Sequence, residues 1–136
     1  MSNRPERGYF ERQKDFFSSL LARLREWLKA LYPSTRVAKL IHGYGSTGMG
    51  GAIREAVRSE LEMVLGAGQI RYVIPGEDWR KTDGATAYWL DTLPALRDDP
   101  DLDKGNPGVT IVILSNPNPT FAVGRRFSGE TGLEES

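Results

Sequence analysis

The chain contains no cysteine and only one histidine, and this limits the kinds of catalytic and metal site that it can form. Without cysteine it has no disulfide framework, no thiol nucleophile and no cysteine-ligated zinc site. Its N-terminal part also lacks a long uninterrupted apolar run, since the apolar residues Phe16, Phe17, Leu20 and Leu21 are flanked by charge. We therefore expect neither a signal peptide nor a membrane span, and we expect a cytoplasmic protein without membrane contact.

Net charge is also absent, because 18 Lys and Arg balance 18 Asp and Glu over 136 residues. The two signs are unevenly placed. Residues 1–58 hold 11 Lys and Arg against 5 Asp and Glu, whereas residues 59–136 hold 7 against 13. A basic half beside an acidic half is typical of a steered anion site, or of two halves that face each other, and both interpretations stay open.

Apolar spacing predicts alternating helices and strands. The first predicted helix covers residues 9–31 and ends before Pro33; a strand over 37–41, a helix over 52–65 and a strand over 70–74 follow. A short helix comes next, with Thr82 or Asp83 as its cap and Pro94 at its end. The last predicted element is a strand over 109–114. The last strand is apolar on both faces and should lie inside a sheet. This alternation predicts an α/β fold with a small sheet.

One domain accounts for the length, and we place it at residues 11–115. Residues 1–10 are polar and are expected to be disordered or poorly ordered. Residues 116–136 contain Pro117, Pro119 and few large apolar side chains, so we expect a loose tail. Three strands make a thin sheet, and a fourth would come from a segment that resembles a loop or from a partner chain.

A glycine-rich loop joins the strand over 37–41 to the following helix. Glycines let a ligand approach the backbone, and the free N–H groups at a helix N-terminus attract anions. Tyr44 is also placed to stack on a base. The candidate phosphate or nucleic-acid contacts are the loop residues and three nearby cations: Gly43, Tyr44, Gly45, Ser46, Thr47, Gly48, Gly50, Gly51, Arg54, Arg58 and Lys39.

Two known nucleotide-binding motifs partly match the sequence of this loop. A P-loop needs lysine and then a hydroxyl residue after its last glycine, where this chain has Met49 and Gly50, so we reject it. The dinucleotide pattern GxGxxG is present as Gly43, Gly45 and Gly48, but its acidic partner comes late and a second mononucleotide half is missing.

His42 stands where the strand meets the loop. Its imidazole is placed either to act as a general base on a sugar hydroxyl or water, or to donate a hydrogen bond to a phosphate oxygen. The alternative is that it holds the shape of the loop by hydrogen bonds. No metal site is expected, because adjacent Glu77 and Asp78 are a weak signal and the acidic run over 98–103 lacks the EF-hand pattern. Trp79 either lines the same cleft as the glycine-rich loop or pins its own loop to the core, and the second role is the more common one for a tryptophan in such a loop.

Several separated motifs together resemble the Smr family, the small MutS-related domains, of the short stand-alone type. The sequence over 39–48, KLIHGYGSTG, runs into IREAV over 53–57 and resembles the family's central His-Gly-x-Gly motif. GNPGVTIVIL over 105–114 resembles its last strand, and PGEDW over 75–79 resembles an insertion of the short members. The resemblance covers residues 37–114.

The resemblance implies a two-layer α/β sandwich like the C-terminal domain of translation initiation factor 3, and a DNA or RNA partner. Some Smr domains nick or cleave their substrate. If this chain does so, His42 would be the acid–base or phosphate-polarising group and Mg²⁺ would be a cofactor; without cleavage, no cofactor is expected. The family's opening strand with an acidic-x-His-Gly motif has no counterpart before Glu11, so the resemblance favours binding and leaves endonuclease activity open. The alternatives are a nucleotide- or phosphometabolite-binding protein that uses the same loop, and a structural or partner-binding module.

Overall fold

The computed structural model describes residues 5–31, 35–43, 50–65, 68, 70–114, 122–128 and 132–135, with side-chain surroundings from residue 14 to 114 within those ranges. The helices are α1 (Pro5–Leu31), α2 (Gly50–Leu65) and α3 (Gly84–Thr92). The strands are β1 (Val37–Ile41), β2 (Ile70–Pro75), β3 (Val109–Leu114), β4 (Ala122–Ser128) and β5 (Gly132–Glu135). Two short 3-10 helices, Gly76–Asp78 and Pro94–Asp98, flank α3. The predicted α/β class is confirmed.

The strands form one sheet in the order β2-β3-β1-β4-β5. β3 runs antiparallel to both β1 and β2, while β4 runs parallel to β1. The register pairs Ile41 with Val109 and Leu40 with Thr110, which brings the end of β1 beside the start of β3. The glycine-rich loop therefore leaves from the middle of the sheet.

Both faces of the sheet are covered at β3, a strand whose side chains are described along its whole length. Successive side chains of a strand point to opposite faces, so Val112 and Leu114 of β3 pack with α1 and α2, whereas Ile111 and Ile113 pack with α3 and the Pro94–Asp98 helix. The two-layer arrangement expected from the sequence is corrected to three layers. The reason is that β3, buried along its whole length, needs an apolar cover on each side.

The first two helices cover one face through apolar residues spaced by four. Leu20, Leu24 and Leu28 of α1 are buried against the same cluster as the inner residues of α2, Ile53, Val57 and Leu61. A hydrogen-bonded ion pair of 2.8 Å between Arg25 and Glu60 joins the two helices. α1 begins at Pro5, so the disorder expected for residues 1–10 is corrected for residues 5–10, where proline is well suited to start a helix.

The opposite face is closed by α3 and the two 3-10 helices. Asp83 caps α3 by accepting a hydrogen bond from the Thr86 backbone N–H, at 3.0 Å. Of the two caps predicted from the sequence, Thr82 and Asp83, the structure uses Asp83. Trp79 is fully buried and donates from Nε1 to Asp99 at 3.0 Å, which confirms its expected packing role. Gly76 is buried so tightly that a Cβ would lie 2.8 Å from the Val109 carbonyl oxygen.

The C-terminal segment differs from the expected loose tail over 116–136. It supplies β4 and β5, and β4 provides the fourth strand beside β1. Its glycines and charges give weak local strand signals, and the pairing is with a strand about eighty residues earlier, which local patterns do not reveal. Within the described ranges, no helix is long and apolar enough to cross a membrane.

Candidate phosphate-binding site

The start of the glycine-rich loop is fixed to the start of β3. The backbone N–H groups of His42 and Gly43 both donate to the Gly108 carbonyl, at 2.9 and 3.0 Å. Gly43 has φ 77°, a left-handed conformation that favours glycine. Five predicted contact residues lie outside the described residues, namely Tyr44, Gly45, Ser46, Thr47 and Gly48. The chain is described again at Gly50 and Gly51, which form the first turn of α2.

His42 is 2 % exposed and has a protein partner at each ring nitrogen. Nδ1 lies 2.7 Å from the Gly43 carbonyl oxygen, and Nε2 lies 2.8 Å from Thr110 Oγ1. A carbonyl only accepts, so Nδ1 carries the proton. Thr110 Oγ1 accepts from Arg58 Nε at 3.0 Å and gives its own hydrogen to Nε2. This arrangement fixes one neutral tautomer and occupies the Nε2 lone pair that a general base would use.

The environment of His42 opposes protonation. Burial lowers its pKa to about 4; the Gly43 carbonyl opposes this change, and the positive charges of Arg58 and Arg54 add to it. The imidazole is therefore neutral near pH 7. Of the two roles predicted for His42, the contacts match the role of holding the loop.

Arg58 is held by several protein partners. Besides Thr110, its guanidinium donates to the Val109 carbonyl at 3.1 Å and to both oxygens of Glu77, at 2.9 and 3.3 Å. Burial raises the pKa of the Glu77 carboxyl, but the hydrogen bond from Arg58 and the charges of Arg58 and Arg54 outweigh it and bring the pKa below its usual value. Arg58 thus joins α2, β3 and the Gly76–Asp78 helix.

Arg54 lies one turn nearer the start of α2. Among the described residues its side chain makes no hydrogen bond or ion pair, although its charge acts on both His42 and Glu77. An open groove of about 340 Å³ passes beside it, lined by Arg54, Glu55, Arg58, Ser59, Glu62 and Glu77. The first turn of α2 has no acidic side chain, so nothing there neutralises the positive end of the helix.

Lys39 is not brought to this site. Alternation along β1 places its side chain on the α3 face of the sheet, where Nζ donates to Asp99 Oδ1 at 2.9 Å and also pairs with Asp101. Burial lowers the Lys39 pKa, but the two carboxylates outweigh burial and raise it above its ordinary value. Two carboxylates of the acidic run over 98–103, Asp99 and Asp101, therefore pair with Lys39 within the protein.

The amino-acid sequence did not single out Thr110 or Gly108, and it offered Glu77 only as a late acidic partner for the dinucleotide pattern and as a weak metal ligand. Thr110 carried a usable signal, since a hydroxyl inside an otherwise apolar buried strand must find a hydrogen-bond partner. Glu77 and Gly108 carried none, because their roles depend on pairing between distant segments. No group of three or more potential metal ligands occurs within the described ranges.

No protein-family model matches this chain, and comparisons with curated proteins and with solved structures likewise found no similar protein. The fold of the initiation factor domain is not confirmed, and the resemblance to the Smr family stays a hypothesis carried by the motifs quoted above.

Proposed function

We propose that this protein binds the phosphate backbone of DNA or RNA with the loop over 43–51 and the start of α2, and that it does so without using His42 as a catalyst. The observation that carries the proposal is Arg54, a cation without a carboxylate partner among the described residues, next to a helix start that carries no acidic side chain.

The local physics supports an anion at this position. The first N–H groups of a helix have no partner within the helix and lie at the positive end of its dipole. Gly50 and Gly51 add no side chain that would keep a phosphate away from them. Arg54 follows at a distance of about 6 Å along the axis, close enough to contact a phosphate seated at the helix start.

The contacts of His42 favour binding over cleavage. Nε2 is occupied by Thr110 and Nδ1 by Gly43, so neither nitrogen is free to take a proton from water or from a sugar hydroxyl. The imidazole instead holds the first turn of the loop against β3.

A second candidate is a nucleotide or phosphorylated metabolite at the same loop. The observation that favours it is the charge of the groove, where Glu55, Glu62 and Glu77 line the surface beyond Arg54. These carboxylates would repel the continuing phosphates of a long polymer, whereas a ligand with one phosphate group would not reach them.

The test is a titration of labelled single-stranded DNA, duplex DNA and structured RNA at several salt concentrations. We expect Arg54→Gln to weaken binding about three- to tenfold and to reduce the salt slope by about one. Arg97→Gln removes the same charge from the Pro94–Asp98 helix on the other side of the sheet and should leave affinity unchanged. Equal affinity in the wild type and in Arg54→Gln would contradict the proposed site.

Two further arms separate the alternatives. Thermal stabilisation by mononucleotides without polynucleotide binding would favour the second candidate. Incubation with Mg²⁺ or with chelator, followed by electrophoresis, shows whether substrate is cut. Cleavage by the wild type that is lost in His42→Gln would overturn the non-catalytic role given to His42.

A further inference from the structure

The Arg58–Glu77 pair has the geometry of a guanidinium that holds an anion. Nη2 donates to Oε1 at 2.9 Å and Nη1 donates to Oε2 at 3.3 Å. A phosphate group, although tetrahedral, also presents two acceptor oxygens side by side and binds arginine by a similar two-point contact.

We infer that Glu77 is an internal substitute for a ligand phosphate, and that binding displaces its carboxylate from Arg58 into water. This rests on the proposed function, and it adds Arg58 as a second phosphate contact that the protein itself blocks in the unbound state. The contact between Glu77 and Arg58 is thus autoinhibitory.

The two partners differ in how firmly they are held. The Arg58 side chain is 23 % exposed, and its other donors are fixed by Thr110 and Val109. The guanidinium group therefore keeps its orientation when the Glu77 carboxylate leaves. The Glu77 side chain is 44 % exposed at the surface of a three-residue helix, so its carboxylate has solvent beside it into which it can turn.

A second cation makes the exchange favourable. Arg54 lines the same groove as Arg58 and Glu77, and its charge already acts on the Glu77 carboxylate. Once Glu77 turns away, two guanidinium groups one helical turn apart face one groove of about 340 Å³. A ligand that spans from the helix start to Arg58 meets both, about 12 Å along the axis, so a polynucleotide should gain more than a mononucleotide.

The test compares Glu77→Gln with Glu62→Gln in the full chain, using a short single-stranded oligonucleotide as the probe. Glu62 lines the same groove, and no ion pair of its side chain occurs among the described residues, so its substitution controls for the loss of one negative charge. Because a partly exposed ion pair contributes little, we expect Glu77→Gln to tighten binding about three- to fivefold and Glu62→Gln to tighten it less than about twofold.

Glu77→Asp provides a second variant that keeps the charge. Its carboxylate is one methylene shorter and loses the two-point contact, so affinity should again rise above that of the wild type. If Glu77→Gln does not fold in a circular dichroism check, this variant decides the question.

The outcomes separate this inference from the proposed function. Equal gains for Glu77→Gln and Glu62→Gln, with binding by the wild type, would overturn the displacement of Glu77 and leave the proposed function standing. Binding by Glu77→Gln but not by the wild type would support the block of Arg58 by Glu77, but it would overturn the displacement of Glu77 by this probe. Absence of binding in every variant would overturn both.

Discussion

His42 lies between the end of β1 and the glycine-rich loop, and its two ring nitrogens are bonded to Gly43 and Thr110. At the scale of this residue the consequence is a histidine that stays neutral in the folded state. Its pKa is lowered to about 4, first by burial and further by Arg58 and Arg54. A neutral imidazole can keep both hydrogen bonds, whereas a charged one would lose the bond from Thr110 and lie near two cations.

The stability of the protein should therefore fall as the pH is lowered. The unfolded chain takes up a proton near pH 6.5 and the folded chain only near pH 4, so protons bind first to the unfolded state. We expect a loss on the order of 2 kcal/mol in the free energy of unfolding between about pH 7 and pH 5, measured by urea titration.

His42→Gln is the control for this loss. Because the chain has one histidine, no other side chain of that type titrates in this window, and the variant should show a much flatter pH dependence. The same slope in both proteins would show that His42 is not the group responsible.

At the scale of the elements, Lys39 joins β1 to the segment that follows α3. Its Nζ pairs with Asp99 and Asp101, and Asp99 also accepts from the buried Trp79. The sequence alone placed Lys39 among the cations near the loop. The alternation of β1 turns it to the opposite face, since it lies between Ala38 and Leu40, which pack toward α2.

Lys39→Met should reduce stability and leave nucleic-acid affinity unchanged. Removing the cation leaves two partly buried carboxylates unpaired, which we expect to cost about 1–2 kcal/mol in chemical denaturation. Lys81→Met is the matched control, because Lys81 is 61 % exposed and pairs with Asp103 at 3.5 Å, so its loss should cost below about 0.5 kcal/mol. Weaker nucleic-acid binding by a folded Lys39→Met variant would show that Lys39 contributes to the binding site after all.

At the scale of the whole molecule, the C-terminal segment completes the sheet. β4 pairs with β1 from Val37 to Ile41, and β5 pairs in turn with β4. β1 would otherwise present an unpaired edge along the strand that leads into the glycine-rich loop. The segment expected to be a loose tail thus supports the strand that positions the candidate site.

A chain that ends at residue 115 should therefore be less stable than the full chain and more prone to self-association. We expect a clear decrease in the urea midpoint and an increase in light scattering, because an open strand edge can pair with another copy. A chain that ends at residue 131 keeps β4 and should lose much less. An unchanged midpoint for the shorter chain would show that β4 adds nothing to the fold.

Features that depend on near neighbours in the chain were predictable from the amino-acid sequence. Apolar spacing located α2, β1 and β3, and the glycines between β1 and α2 marked the loop. The Asp83 cap of α3 and the burial of Trp79 followed from equally local signals. Such predictions succeed because helix and strand periodicity, and the termini of helices, are set within a few residues.

Tertiary contacts, in contrast, decide which of the predicted cations face the loop and which are already paired. Arg54 and Arg58 share one groove, Glu77 occupies Arg58, and Lys39 serves the other face of the sheet. The positions of His42 beside Thr110, and of β4 beside β1, also depend on segments far apart in the chain. The physical reason is that sheet register and strand order choose these partners, and neither is written in local spacing.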